Sequence, residues 1–71
     1  MSAEELLADG AVTVAGATRE FGIGRTRLYE LMGDGTLPYS QMGTRRLIPR
    51  VALRRLLAAN LHGVEQQVVA E

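Results

Sequence analysis

The chain has no cysteine and no lysine, a single histidine, and no apolar run approaching the length of a membrane span. Without cysteine, neither a disulfide nor a thiolate metal site can staple the fold, and one histidine cannot build a zinc site by itself. A reducing, intracellular location fits this inventory. The opening residues, Met-Ser-Ala-Glu-Glu-Leu-Leu, are acidic and lack the basic flank and apolar core of a signal peptide. The expectation is a complete, soluble, cytoplasmic protein. Groups that carry out covalent chemistry are missing too: there is no Ser/His/Asp or Cys/His arrangement and no glycine-rich phosphate loop, and His62 stands alone near an expected helix end. An enzyme is therefore the least favoured class, and neither a cofactor nor a metal is expected.

What is present is a basic middle between acidic ends. Residues 1–24 carry a net −3, with Arg19 against Glu4, Glu5, Asp9 and Glu20. Residues 25–55 carry +5, with Arg25, Arg27, Arg45, Arg46, Arg50, Arg54 and Arg55 against Glu30 and Asp34; Glu65 and Glu71 follow. A GC-rich genome explains the choice of arginine over lysine as readily as function does, but the clustering points to an acidic partner. The length of 71 residues allows one domain, read as 1–71. Its core is expected over about 11–62, with a short N-terminal helix over 1–10 and a C-terminal tail over 63–71. Such a small core needs every apolar stripe it has.

The organising stretch is 24–38, Gly-Arg-Thr-Arg-Leu-Tyr-Glu-Leu-Met-Gly-Asp-Gly-Thr-Leu-Pro. Leu28, Leu31 and Met32 have the i, i+3, i+4 spacing of one apolar helical stripe, while Arg25, Thr26, Tyr29 and Glu30 fall off it. The glycines around Asp34 and then Pro38 end this helix by Met32 or Gly33. Its exposed first turn, Arg-Thr-Arg, holds side chains suited to phosphate oxygens and guanine edges in a major groove.

Around that helix the other elements follow from local signals. Ser2 and Glu5 form a capping box for a helix of about two turns that Gly10 stops. Leu6 and Leu7 there either cover the core or dock a partner. Thr13 is read as the N-cap of a helix carrying Val14, Ala17 and Phe21 on one face, which Gly22 ends. Two short helices joined by a glycine turn make a helix-turn-helix. Next, 37–42 is a candidate strand, Gly43-Thr44 a tight turn, and 45–48 the returning strand of a two-stranded wing. Pro49 fits the first position of a last helix whose Val51, Leu53, Leu56, Leu57 and Leu61 form a broad apolar face, closed by Asn60 and Gly63. Arg54 and Arg55 fit a solvated face slightly better than a DNA contact. Residues 64–71 extend that helix, fray, or pack on another copy; the sequence does not choose. The fold class is mainly α with a small two-stranded β wing, a winged helix-turn-helix.

Taken together, Val12-Thr13-Val14, Phe21-Gly22-Ile23, Arg25-Thr26-Arg27-Leu28-Tyr29, Gly35-Thr36-Leu37-Pro38 and Gly43-Thr44-Arg45-Arg46-Leu47-Ile48-Pro49-Arg50 carry a resemblance. Over residues 11 to about 61 the chain resembles the small winged-helix excisionases of phages and mobile elements, related to MerR-type DNA-binding domains. Two departures stand out: Ala15 and Gly16 occupy places where that family has acidic residues after the capping threonine, and Gly24 stands where it often has a capping serine. The resemblance implies a recognition helix in the major groove and a wing in or over the adjacent minor groove. Arg25, Thr26 and Arg27 would then meet bases and phosphates, with Tyr29 and Glu30 at the groove rim. Thr44, Arg45 and Arg46 match wing contacts, and Arg50 matches a backbone contact. Tyr29 fits a half-buried packing role equally well, and strand alternation sends one of Arg45 and Arg46 to DNA and the other to the far side without saying which.

The implied function is that of a recombination directionality factor. Copies would fill adjacent DNA repeats head to tail, bend the site, and help an integrase excise a prophage in the bacterial cytoplasm. A stand-alone transcription regulator of the same fold is the alternative, and a helix-turn-helix serving protein contacts alone is a third.

Overall fold

The computed structural model describes residues 2–63. In order these form α1 (Ala3–Leu7), β1 (Ala11–Thr13), α2 (Val14–Phe21), α3 (Arg25–Gly33), β2 (Ser40–Met42), β3 (Arg45–Pro49) and α4 (Arg50–Ala59). Four helices and a three-stranded antiparallel sheet make this a mixed α/β arrangement, compatible with a winged helix. The expectation over residues 64–71 lies outside the described residues.

Local chemistry accounts for the helix starts. Ser2 Oγ accepts the Glu5 N–H at 3.2 Å and Glu5 Oε1 accepts the Ser2 N–H at 2.9 Å, closing the capping box of α1. That helix ends at Leu7, short of the expected two turns. Thr13 Oγ1 accepts the Gly16 N–H at 3.0 Å and so caps α2. At the other end Gly22 takes the left-handed conformation, φ 73°, and its N–H returns to the Thr18 carbonyl. This closes the helix and turns the chain into α3.

The expected two-stranded wing is corrected to three strands. β3 is central, in the order β1-β3-β2, and pairs antiparallel with both neighbours. Val12 lies opposite Ile48 on one side, and Gln41 lies opposite Arg46 on the other. The residues read as the opening of the first helix thus split into a short strand followed by a helix, with Thr13 serving both. Three residues are too few for a period-2 pattern to show against a helix cap. The strand expected over 37–42 is also shorter, since Leu37 belongs to the exit from α3. Its N–H bonds the Leu31 carbonyl at 3.0 Å and its side chain is buried.

One side chain from each of four segments fills the centre: Leu28 of α3, Leu37 after it, Ile48 of β3 and Leu53 of α4 are all fully buried. Burying each contributes about 1.5–3 kcal/mol. Ala17 is also fully buried and lets α2 approach closely. Pro49 proves to be the N-cap of α4 and not its first helical residue, so the helix starts at Arg50, one residue later than expected. The apolar face foreseen for α4 is narrower than its sequence: Leu53 is buried and Leu56 packs at the core edge, whereas Leu57 is 41% and Leu61 57% exposed. The helix is shorter than expected, ending at Ala59 with Asn60 as its C-cap, so Leu61 lies beyond it. Among the described residues α4 packs mainly on β3 and α1, which leave Leu57 in its last turn uncovered.

Candidate nucleic-acid interface

The first turn of α3 is chemically open. Gly24 is extended, φ −63° and ψ 150°, and has no side chain to cap the helix. The backbone N–H groups of that turn therefore face outward, at the positive end of the helix dipole. Arg25, Thr26 and Arg27 all project there and are exposed. Arg27 touches Glu30 at 3.3 Å, but both side chains are more than half exposed. A surface pair of this spacing contributes about 0.2–0.5 kcal/mol, so a phosphate can take Arg27 from it.

Beyond the last turn of α3, Asp34 fixes the path to the wing. Its Oδ1 accepts the Thr36 N–H at 2.9 Å. Hydrogen bonds from the Thr36 side chain and then its backbone hold the carboxyl below its ordinary value, with a further small contribution from Arg27. The chain then enters the hairpin, whose Gly43-Thr44 turn sets Met42 opposite Arg45 and Gln41 opposite Arg46. Thr44 and Arg45 are exposed at the tip.

Arg46 is held quite differently. Its guanidinium carbon lies 5.1 Å from the Tyr29 ring centroid and 4.8 Å from that of Tyr39. The cation thus bridges α3, the approach to β2, and β3. Tyr29 and Arg46 are among the residues expected at the site, and Tyr39 joins them here. The signal was available in the hairpin: a two-residue turn sets Gln41 opposite Arg46, and alternation then puts Tyr39 on the same face. Tyr29 is 48% exposed, and its ring also receives Arg46, so it is neither free of packing nor buried by it.

Arg50 is committed elsewhere. Its Nε donates to Glu20 Oε2 at 3.1 Å and its NH1 to the Asp9 carbonyl at 3.4 Å. The Arg50 N–H also bonds the Gly10 carbonyl at 3.0 Å. Arg54 pairs with the Asp9 carboxylate. These contacts clasp the segment between α1 and β1 onto α4, and they pair two acidic residues of the N-terminal part with two arginines of the middle. Among the described residues, Arg25, Arg45 and Arg46 have no carboxylate partner. Arg19 of α2 and Arg55 of α4 have none either among the described residues, so three of the five unpaired arginines lie on α3 and the hairpin.

Neither a search of protein-family models, nor one of curated proteins, nor one of solved structures finds a match to this chain. Among the described residues no helix is long and apolar enough to cross a membrane, and no three His, Cys, Asp or Glu side chains group as metal ligands would.

Proposed function

We propose that the protein is a winged helix-turn-helix DNA-binding protein that acts as an excisionase in the host bacterial cytoplasm. Copies fill adjacent repeats, bend the duplex, and assist an integrase in prophage excision without chemistry of their own. The observation that carries the DNA-binding step is the pairing of an uncapped, arginine-bearing helix start with a hairpin tip held beside that same helix by the Tyr29–Arg46–Tyr39 stack. A helix N-terminus favours phosphate, and a narrow minor groove attracts arginine. Arg25, Thr26 and Arg27 then read the major groove, Tyr29 and Glu30 border it, and Thr44 and Arg45 enter the minor groove. Arg50 acts first through the clasp.

The excisionase assignment within this class rests on the resemblance of the sequence. Its head-to-tail assembly has less electrostatic support than the charge profile gave, because Asp9 and Glu20 are engaged within the molecule. Within the acidic N-terminal part, Glu4 and Glu5 stay exposed, and the Glu5 carboxylate also accepts the Ser2 N–H.

The test is to retain fragments of the source genome on purified protein at moderate salt and footprint what is held. Protection of closely spaced, same-direction repeats, filled cooperatively in bent complexes, is expected. Roughly 4 to 6 phosphate contacts give a log-log salt slope of about −4 to −5. A single or palindromic footprint at a promoter would favour the transcription regulator instead. No DNA held even at low salt would remove both and leave a protein partner for the basic surface.

A further inference from the structure

We propose that the two adjacent wing arginines divide the work: Arg46 is a positioning residue that pins the hairpin to α3, and Arg45 is the arginine that meets DNA. The division rests on the DNA-binding reading above. Its basis is the geometry of the stack. Arg46 and Ile48 lie two apart on β3, and Ile48 is fully buried, so Arg46 is turned toward the core side and the flank of α3. There both tyrosine rings lie within the 6 Å at which a guanidinium is attracted by an aromatic face. Arg45, one residue earlier, is turned the other way and is exposed beside Met42 at the tip.

The hairpin has need of such a pin. β2 packs chiefly on β3, and β3 is anchored to the rest of the sheet through β1. Nothing in the ladder fixes how far the tip leans toward α3. The stack supplies that constraint, because Tyr29 belongs to α3 while Tyr39 and Arg46 flank the hairpin strands. A ligand that engages the first turn of α3 and the tip together requires a set distance between them. Arg46 holds that distance before the ligand arrives, which lowers the ordering cost of binding.

The composition gives an unobstructed readout. Tyr29 and Tyr39 are the only two tyrosines and the chain has no tryptophan. In the free protein, NMR should show the Arg46 side-chain protons displaced by both ring currents, and Arg46→Met should change both tyrosine spin systems. The same variant should loosen backbone order at residues 41–45 while the β1–β3 pairing persists. Unperturbed Arg46 protons would overturn the pin outright, whatever the protein does with DNA.

With the footprinted DNA, Arg46→Met should weaken binding by about three- to tenfold with the salt slope unchanged. Tyr39→Leu should weaken binding in the same direction, Tyr39→Phe should restore it, and the Tyr39→Leu, Arg46→Met double variant should be no weaker than Arg46→Met alone. Arg45→Ala should instead make the slope shallower by about 0.9. Additive losses from Tyr39 and Arg46, together with a shallower slope for Arg46→Met, would make Arg46 a phosphate contact and refute the division. Failure to bind any DNA would overturn the role of Arg45 along with the reading it rests on, while the free-protein spectra decide the pin independently.

Discussion

Individual residues here carry obligations that their type alone does not reveal. Gly10 and Gly22 both have positive φ, 85° and 73°, but their surroundings differ. A Cβ at Gly22 would meet nothing within 4 Å, whereas one at Gly10 would lie 2.8 Å from Arg50 NH1. Gly22→Ala should therefore cost about 1–2 kcal/mol, the backbone penalty alone. Gly10→Ala should cost more, because it also displaces the guanidinium from Glu20 and the Asp9 carbonyl. The excess should vanish when the two glycine variants are compared again in an Arg50→Ala background by urea denaturation. Asp34 makes a different prediction. Its folded pKa is lowered, so its contribution to stability is complete above the ordinary carboxylate range and is lost as pH falls through the folded value. The stability difference between the wild type and Asp34→Ala should be constant near neutrality and narrow as pH falls below the ordinary carboxylate range, as read from denaturation midpoints across pH. Under the proposed DNA-binding function, Arg27→Ala should weaken specific binding by about 1–3 kcal/mol and relax preference at one or two base pairs. Equal losses on every DNA in a competition assay would deny Arg27 a reading role.

At the level of elements, what could be read in the sequence was whatever depends on near neighbours. Thr13 as a cap, the Ser2–Glu5 box, Gly22 as a stop and the Leu28–Leu31–Met32 stripe each involve residues within about a helical turn, and all are present. Contacts across the chain were not legible. β1 depends on Ile48 lying opposite Val12, and the clasp depends on Arg50 reaching Glu20, so neither has a local signature. Leu57 failed for a related reason, since periodicity shows which side of a helix is apolar but not how far along it a neighbour extends, whereas Leu61 lies beyond the Asn60 C-cap that ends the helix. In the candidate interface, the exposed Arg-Thr-Arg turn followed directly from the stripe it avoids. The separation of Arg45 from Arg46 required the position of a third element, α3. The uncapped start of α3 gives a prediction at this scale. Gly24 has an extended backbone and open space around it, so Gly24→Ser should add a cap and stabilise by a few tenths of a kcal/mol. In a thermal melt that corresponds to a rise of about 1–2 °C.

For the molecule as a whole, the order of strands in the sheet also governs the route by which the chain folds. The β2–β3 hairpin is closed by two residues and can form early from local encounters. β1 can join only after all of the chain from α2 to the hairpin has been brought round, with the loop-closure entropy that entails. Pairing of Val12 with Ile48 should thus come late, on the native side of the folding barrier. Val12→Ala, read by stopped-flow chevrons, should mainly speed unfolding and leave the folding rate nearly unchanged, whereas truncation of Leu47 should slow folding. A single late-docking strand would then set how long the native state survives, while the hairpin sets how quickly it is reached.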